Sequence, residues 1–146
     1  MTIRLMTAAD YPACYDLWLR TPGMGLNSID DSAEGIGRYL KRNPHTCFVA
    51  EEEGRIAGVI LCGHDGRRGF IHHTAVHPDF RRRGIARMLV DAALAALKRE
   101  GIHKAALVVF ERNETGNAFW QQQGFTTRED LVYRNLALTE LHRIDT

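Results

Sequence analysis

The chain is expected to fold as one α/β (α+β) domain in the order βααβββαβαββ, with an antiparallel meander at its middle. Three observations carry this. Between residues 46 and 76 three short apolar-rich segments of strand length are separated by turn signals at Glu53-Gly54 and Asp65-Gly66. On either side, residues 11–18 and 85–96 switch to helical spacing. A length of 146 residues suits a single core, which at that size buries about two thirds of the surface of the unfolded chain. Residues 1–146 are therefore read as one domain.

Residues 2–6 alternate, with Ile3 and Leu5 on one side, and form a first strand. Thr7 stands three residues before Asp10 in a capping-box arrangement. It starts a helix with Tyr11, Cys14, Tyr15 and Trp18 on its core face, stopping before Pro22. Residues 21–32, rich in Gly, Pro, Asn and Asp, form a loop that is a candidate for contact with substrate. A second helix follows and ends at Asn43-Pro44, since a residue before proline avoids helical geometry. Strands at residues 46–51, 55–63 and 69–76 make an antiparallel meander. From Arg83 the period changes, and Ile85, Met88, Leu89, Ala92, Ala93 and Ala96 mark an amphipathic helix ended by Gly101. Residues 105–110 are an apolar strand, and residues 115–123 a short helix ended by Gly124. Residues 125–127 and 131–138 form a final strand pair.

Composition narrows the function. The longest apolar runs, residues 56–62 and 92–97, fall far short of the roughly 20 residues of a membrane span. The first residues lack the basic-then-apolar pattern of a secretory signal, so the expected compartment is the cytoplasm. Cys14, Cys47 and Cys62 lie in apolar contexts without metal-like spacing to histidine, so they are read as reduced core residues and no metal is expected. A net charge of +1 does not point to nucleic acid. The charge is uneven, however: Arg81, Arg82, Arg83 and Arg87 crowd one stretch, while Asp30, Asp31 and Glu51 to Glu53 lie elsewhere.

That arginine stretch sits where a strand passes into a helix. A glycine-bearing turn there leaves backbone N–H groups unpaired with the helix dipole behind them, which is an anion cradle. Gly84 and the small Ala86 let a phosphate approach the main chain, and the arginines add fork-shaped donors. The spacing matches neither the P-loop nor the three-glycine dinucleotide turn.

With Arg81, Gly84 and Ala86 in the register Arg/Gln-x-x-Gly-x-Gly/Ala, preceded by Val76-x-Pro78 and followed by Leu89, the chain resembles the GNAT acyltransferase superfamily. Asn113, Phe119, Trp120, Gly124 and Phe125 resemble that family's second motif, so the likeness spans nearly the whole chain. The resemblance implies a mixed, mostly antiparallel twisted sheet with helices on both faces, whose central strands splay, with acetyl-CoA bound in the gap. Its pyrophosphate would lie on Arg81, Arg82, Arg83, Gly84, Ile85, Ala86 and Arg87. The pantetheine arm would lie along Thr74, Ala75 and Val76, with main-chain bonds to Ala75 and Val76, and contacts from Asn113, Phe119 and Trp120 would complete the site.

The same resemblance implies transfer of the acetyl group to a primary amine by direct attack, with the Val76 N–H as oxyanion donor. Trp120 stands where many members carry a tyrosine acid, and an indole N–H has no accessible acidity. Tyr133 is the substitute candidate, and a thiol of pKa near 8.5 is a tolerable leaving group in any case. Strict alternation puts Phe70, His72, Thr74 and Val76 on one face of their strand and Ile71, His73 and Ala75 on the other. His72 alone would then face the cofactor side, and the resemblance, to members with a histidine or glutamate on this strand, makes it the candidate base, acting through water, while His64, His73 and His77 are assigned to the surface.

Two rival readings accompany this one. A non-catalytic CoA-binding sensor or partner-binding domain is suggested by Trp120, and an RNA-directed protein by the arginines, against which the near-neutral charge counts. The acceptor is expected to be a small-molecule or peptide amine, which Asp30 and Asp31 would attract if it is cationic. The apolar last strand offers an edge for a homodimer.

Overall fold

The structure, a computed structural model, describes residues 1–145. The alternating segments become one five-stranded sheet in the order β1-β2-β3-β4-β5. Its strands are β1 (Thr2–Leu5), β2 (Phe48–Glu52), β3 (Arg55–His64), β4 (Gly69–Val76) and β5 (Ala105–Ala106). All neighbours are antiparallel except β4 and β5, which run parallel. The helices are α1 (Tyr11–Arg20), α2 (Ala33–Arg42), α3 (Ile85–Arg99) and α4 (Glu114–Gln122), with short 3-10 turns at Ala8–Asp10 and Pro78–Phe80.

Local chemistry accounts for the starts. The Asp10 carboxylate accepts the Thr7 N–H at 2.8 Å and the Arg4 guanidinium at 2.8 and 2.9 Å, tying β1 to the entry of α1. Arg4 is the main reason the Asp10 carboxyl titrates below the usual range. Ser32 caps α2 by accepting the Gly35 N–H at 3.0 Å.

Each face of the sheet buries its own core. On one side α3 lays Ile85, Leu89, Ala93 and Leu97 over Ala50, Ile60, Cys62 and Ile71. On the other α1 and α2 lay Cys14, Leu17, Trp18, Ile36 and Leu40 over Val49, Val59, Leu61 and Ala75. The buried stripes are rotated slightly from the expected ones. Tyr11 and Tyr15 are half-buried and Met88 is exposed, while Leu17, Val90 and Leu97 are buried.

Two departures from the expected elements bear on function. The apolar strand at residues 105–110 pairs with β4 only at Gly69↔Ala105 and Phe70↔Ala106. Beyond that point β4 runs on to Val76 with its outer edge open, so the central strands part as the resemblance implied. The final strand pair at residues 125–127 and 131–138 is absent among the described residues. That segment has no assigned strand, and Leu131, Val132, Leu136 and Leu138 are exposed. Alternation alone signals a strand only where a partner edge lies within reach, and here none is engaged. Instead the chain end hooks back onto the 21–32 loop, where Asn27 and Arg143 form an antiparallel bridge. The Ile144 N–H donates to the Leu26 carbonyl at 3.0 Å.

Candidate active site

The glycine-bearing turn between strand and helix forms where it was expected. After the Pro78–Phe80 turn, Arg82 and Gly84 take positive φ of 64° and 73°, and α3 starts at Ile85. Among the described residues no backbone or side-chain acceptor pairs with the N–H groups of Arg82 to Arg87, and Gly84 supplies no side-chain cap. A Cβ at Gly84 would meet nothing within 4 Å, so the turn opens onto free space. The dipole of α3 stands behind this row of donors.

The cradle side chains are not equivalent. Arg83 is held by Glu52 at 2.8 Å and lies over the Phe80 ring at 5.3 Å, and Arg87 reaches toward Asp91 at 3.9 Å. Arg81 and Arg82 are exposed and have no acidic partner among the described residues. Ile85 is buried in the α3 core, so only its main chain faces the cradle, and Ala86 is half-buried.

Strand β4 links this cradle to the opposite face of the sheet. The His77 N–H donates to the Ala57 carbonyl at 2.8 Å, and the register pairs Gly58 with Val76 and Val59 with Ala75. Antiparallel alternation therefore spends the Ala75 main chain on β3 and turns the Val76 N–H and C=O to the open edge. A main-chain bond from Ala75 into the gap, expected from the resemblance, does not fit this register. The one from Val76 does.

The strict alternation expected for β4 fails at His73 and Thr74. Leu61 pairs with His72 and Val59 with Ala75, so two residues of β4 oppose Ile60 alone. His73 takes a positive φ of 24° at this bulge. The consequence corrects two expectations. Val76 lies on the α3 side with Ile71, away from His72, and both histidines face α1 and α2. His73, assigned to the surface from sequence, stacks edge-on against Trp18 at 5.2 Å and bonds Asp31 at 2.6 Å through Nε2. Asp31 is 4% exposed and also accepts the Asn27 N–H, so it is a buried partner and not a free acidic lure.

His72 stands beside this pair, against Phe70 at 4.8 Å and Tyr39 at 5.9 Å between ring centroids. Part of its ring reaches solvent, yet the walls around the rest displace enough water to push its pKa down to about 4, with neighbouring His73 adding to the shift. His72, His73, Asp30, Asp31 and Tyr133 line one cavity of about 690 Å³ whose rim is built by the 21–32 loop and α2. Tyr133 thus reaches the same cavity as His72, although it lies on no strand and is 68% exposed.

The second motif plays a packing part. Asn113 caps α4 by accepting the Gly116 N–H at 2.9 Å. Phe119 and Trp120 meet edge to face at 5.0 Å, Trp120 meets Phe125 at 5.2 Å, and all three pack on the α3-side core. Thr74 is half-buried, its hydroxyl donating to the His72 carbonyl at 3.2 Å. Cys14, Cys47 and Cys62 are buried, free and pushed up to about 12 by burial. Among the described residues no cluster of three His, Cys, Asp or Glu side chains has metal-holding geometry, and no helix is long and apolar enough to cross a membrane.

Known proteins share this architecture and sequence. The acetyltransferase (GNAT) family model matches residues 11–125. An acetyltransferase of Pectobacterium atrosepticum is 35% identical over 127 residues, covering 87% of this chain and 89% of that protein. One from Photorhabdus laumondii is 37% identical over 114 residues, covering 78% of each. Among solved structures, Ard1 from Thermoplasma volcanium superposes with a TM-score of 0.76 at 22% identity, covering 86% of this chain and 82% of that one. The aminoglycoside N-acetyltransferase AAC(6')-Iy, bound to a CoA-based bisubstrate analogue, gives 0.73 at 20% identity over 93% and 97%.

Proposed function

Since the chain belongs to the GNAT family of acetyltransferases, we propose that it transfers the acetyl group of acetyl-CoA directly to a primary amine at the open edge of β4. The observation that carries this reading is the row of unpaired N–H donors from Arg82 to Arg87, set beside the parting of β4 from β5. Arg81 and Arg82, free of acidic partners, add charge for the pyrophosphate, with the main chain of Arg83 to Arg87 completing the cradle. The Val76 N–H, aimed into the gap, is the donor for the oxygen that becomes negative as the amine attacks. Acetyl-CoA supplies the activated carbonyl. The amine nitrogen bonds to it, the carbon–sulfur bond breaks, and the proton lost by nitrogen passes to solvent or to the leaving sulfur.

On the other face, His72 keeps a free lone pair throughout the neutral range because its pKa is depressed. It therefore accepts a hydrogen bond from the incoming amine, while Tyr133 at the mouth of the same cavity is the candidate donor to the departing sulfur. The buried thiols, all protonated at neutral pH, favour direct attack over an acyl-cysteine intermediate. Reduced cysteines also suit the cytoplasm.

The test is calorimetric titration of acetyl-CoA and CoA into the wild type and Gly84→Trp. The wild type is expected to bind with micromolar affinity and the variant at least tenfold more weakly. A side chain at Gly84 enters open space, and its left-handed backbone costs only about 1–2 kcal/mol, so the fold survives. A wild type that binds neither ligand overturns the assignment.

A further inference from the structure

The cavity beside His72 carries an electrostatic pattern opposite to the one its acidic residues suggest. Arg38 and Arg42 lie one turn apart on α2 and both line it. A second cavity of about 520 Å³ shares Tyr39, Arg42, Phe70 and His72 with the first and adds Arg68 and Lys104. The two cavities adjoin at these shared residues, Arg42 among them. Among the described residues none of these four cations has a carboxylate within 4 Å.

The acids lining the two cavities already accept hydrogen bonds from within the chain. Asp31 is buried against His73 and the Asn27 N–H. Asp30 accepts from the Asn27 amide at 2.9 Å, and Asp65 accepts the Arg67 and Arg68 N–H groups at 2.8 Å. Internal donors therefore face the negative groups, while positive groups are left to meet a ligand. Guanidinium forks in a half-enclosed space suit a carboxylate, and a polycation entering it meets Arg38, Arg42, Arg68 and Lys104, which outnumber the lining carboxylates of Asp30, Asp31 and Asp65.

We propose that the acceptor is an amine that also bears a carboxylate, an amino acid or an acidic peptide end, with the carboxylate read by Arg38 and Arg42 while the amine lies at His72. Polycationic amines are disfavoured. This rests on the acetyltransferase reading above and adds the substrate class.

The experiment follows thiol release from acetyl-CoA with four sets of amines: free amino acids and acidic dipeptides, their C-terminal amides, spermidine, and the aminoglycoside neamine. It uses the wild type, Arg38→Gln and Arg42→Gln, with acetyl-CoA binding measured calorimetrically on each. The wild type is expected to prefer at least one acid over its own amide by tenfold or more in kcat/KM. Arg42→Gln should remove most of that preference through KM, leaving acetyl-CoA affinity and thermal midpoint unchanged, and Arg38→Gln should act in the same direction. Preferred turnover of spermidine or neamine overturns the proposal, as does an acid-to-amide ratio that neither arginine alters. If acetyl-CoA binds but no carboxylated amine turns over, the proposal is likewise wrong and the cofactor site stands. If acetyl-CoA does not bind, it is the acetyltransferase reading of the site that has failed.

Discussion

His72 and His73 are neighbours in sequence, and a regular strand would send their rings to opposite faces. One extra residue opposite Ile60 brings both rings to the α1 and α2 side, His73 into a buried bond with Asp31 and His72 into the cavity. His72 was a candidate by resemblance, on a face expected to carry Val76 as well. The His73–Asp31 pair was not, because a bulge has no signature in an alternation of Phe, Ile, His and Thr, and Asp31 is distant in sequence. The surroundings of His72 give a pH prediction with a definite sign. Partial desolvation of the ring and the neighbouring His73 hold its folded pKa at about 4, against 6.5 for an unperturbed imidazole, with Asp31 and Asp30 partly opposing the shift. As pH falls from 6.5 toward 4 the unfolded chain takes up a proton that the folded chain refuses, so this group lowers stability across that window and has no further effect below it. Urea midpoints of the wild type should therefore decline more steeply between pH 6.5 and 4.5 than those of His72→Gln. Parallel declines would show that the ring is not shielded as described.

At the scale of an element, α2 shows how two glycines of one helix differ. A Cβ on Gly35 would collide with the backbone carbonyls of Ile29 and Asp30, whereas a Cβ on Gly37 would meet nothing within 4 Å. Alanine favours a helix over glycine by about 1 kcal/mol at either position. Gly37→Ala should thus stabilise by up to about 1 kcal/mol, and Gly35→Ala should destabilise by about 1–3 kcal/mol because main-chain atoms have no rotamer to retreat into. Chemical denaturation of the two variants tests the packing of α2 on the 21–32 loop, which also forms the rim of the cavity; the same sign for both would refute it. The cradle at the head of α3 is the opposite case. Its turn needs positive φ and free N–H groups, and Gly84, the small Ala86 and the change of period at Ile85 announce all of that locally.

For the whole molecule, the exposed run after α4 is the clearest difference from expectation. Leu136 and Leu138 are 82% and 90% exposed. Replacing both with serine should shift the unfolding free energy by less than about 0.5 kcal/mol each, as for other surface positions. Were they core residues of a paired strand, losses of about 2–5 kcal/mol each would appear in the same urea titration. What the sequence determined by itself were the properties that depend on neighbours along the chain: the helical and strand periods, the helix cap at Thr7, the glycine-bearing strand-to-helix turn and the family it marks. Tertiary structure decided what depends on distant partners. These are the bulge that gathers two histidines on one face, the engagement of Asp31 and the freedom of Arg38 and Arg42, the early parting of β5 from β4, and the docking of the chain end on Leu26 and Asn27. Local pattern specifies which conformation a segment prefers, but which donors and charges remain free is settled only after every other segment has taken its share.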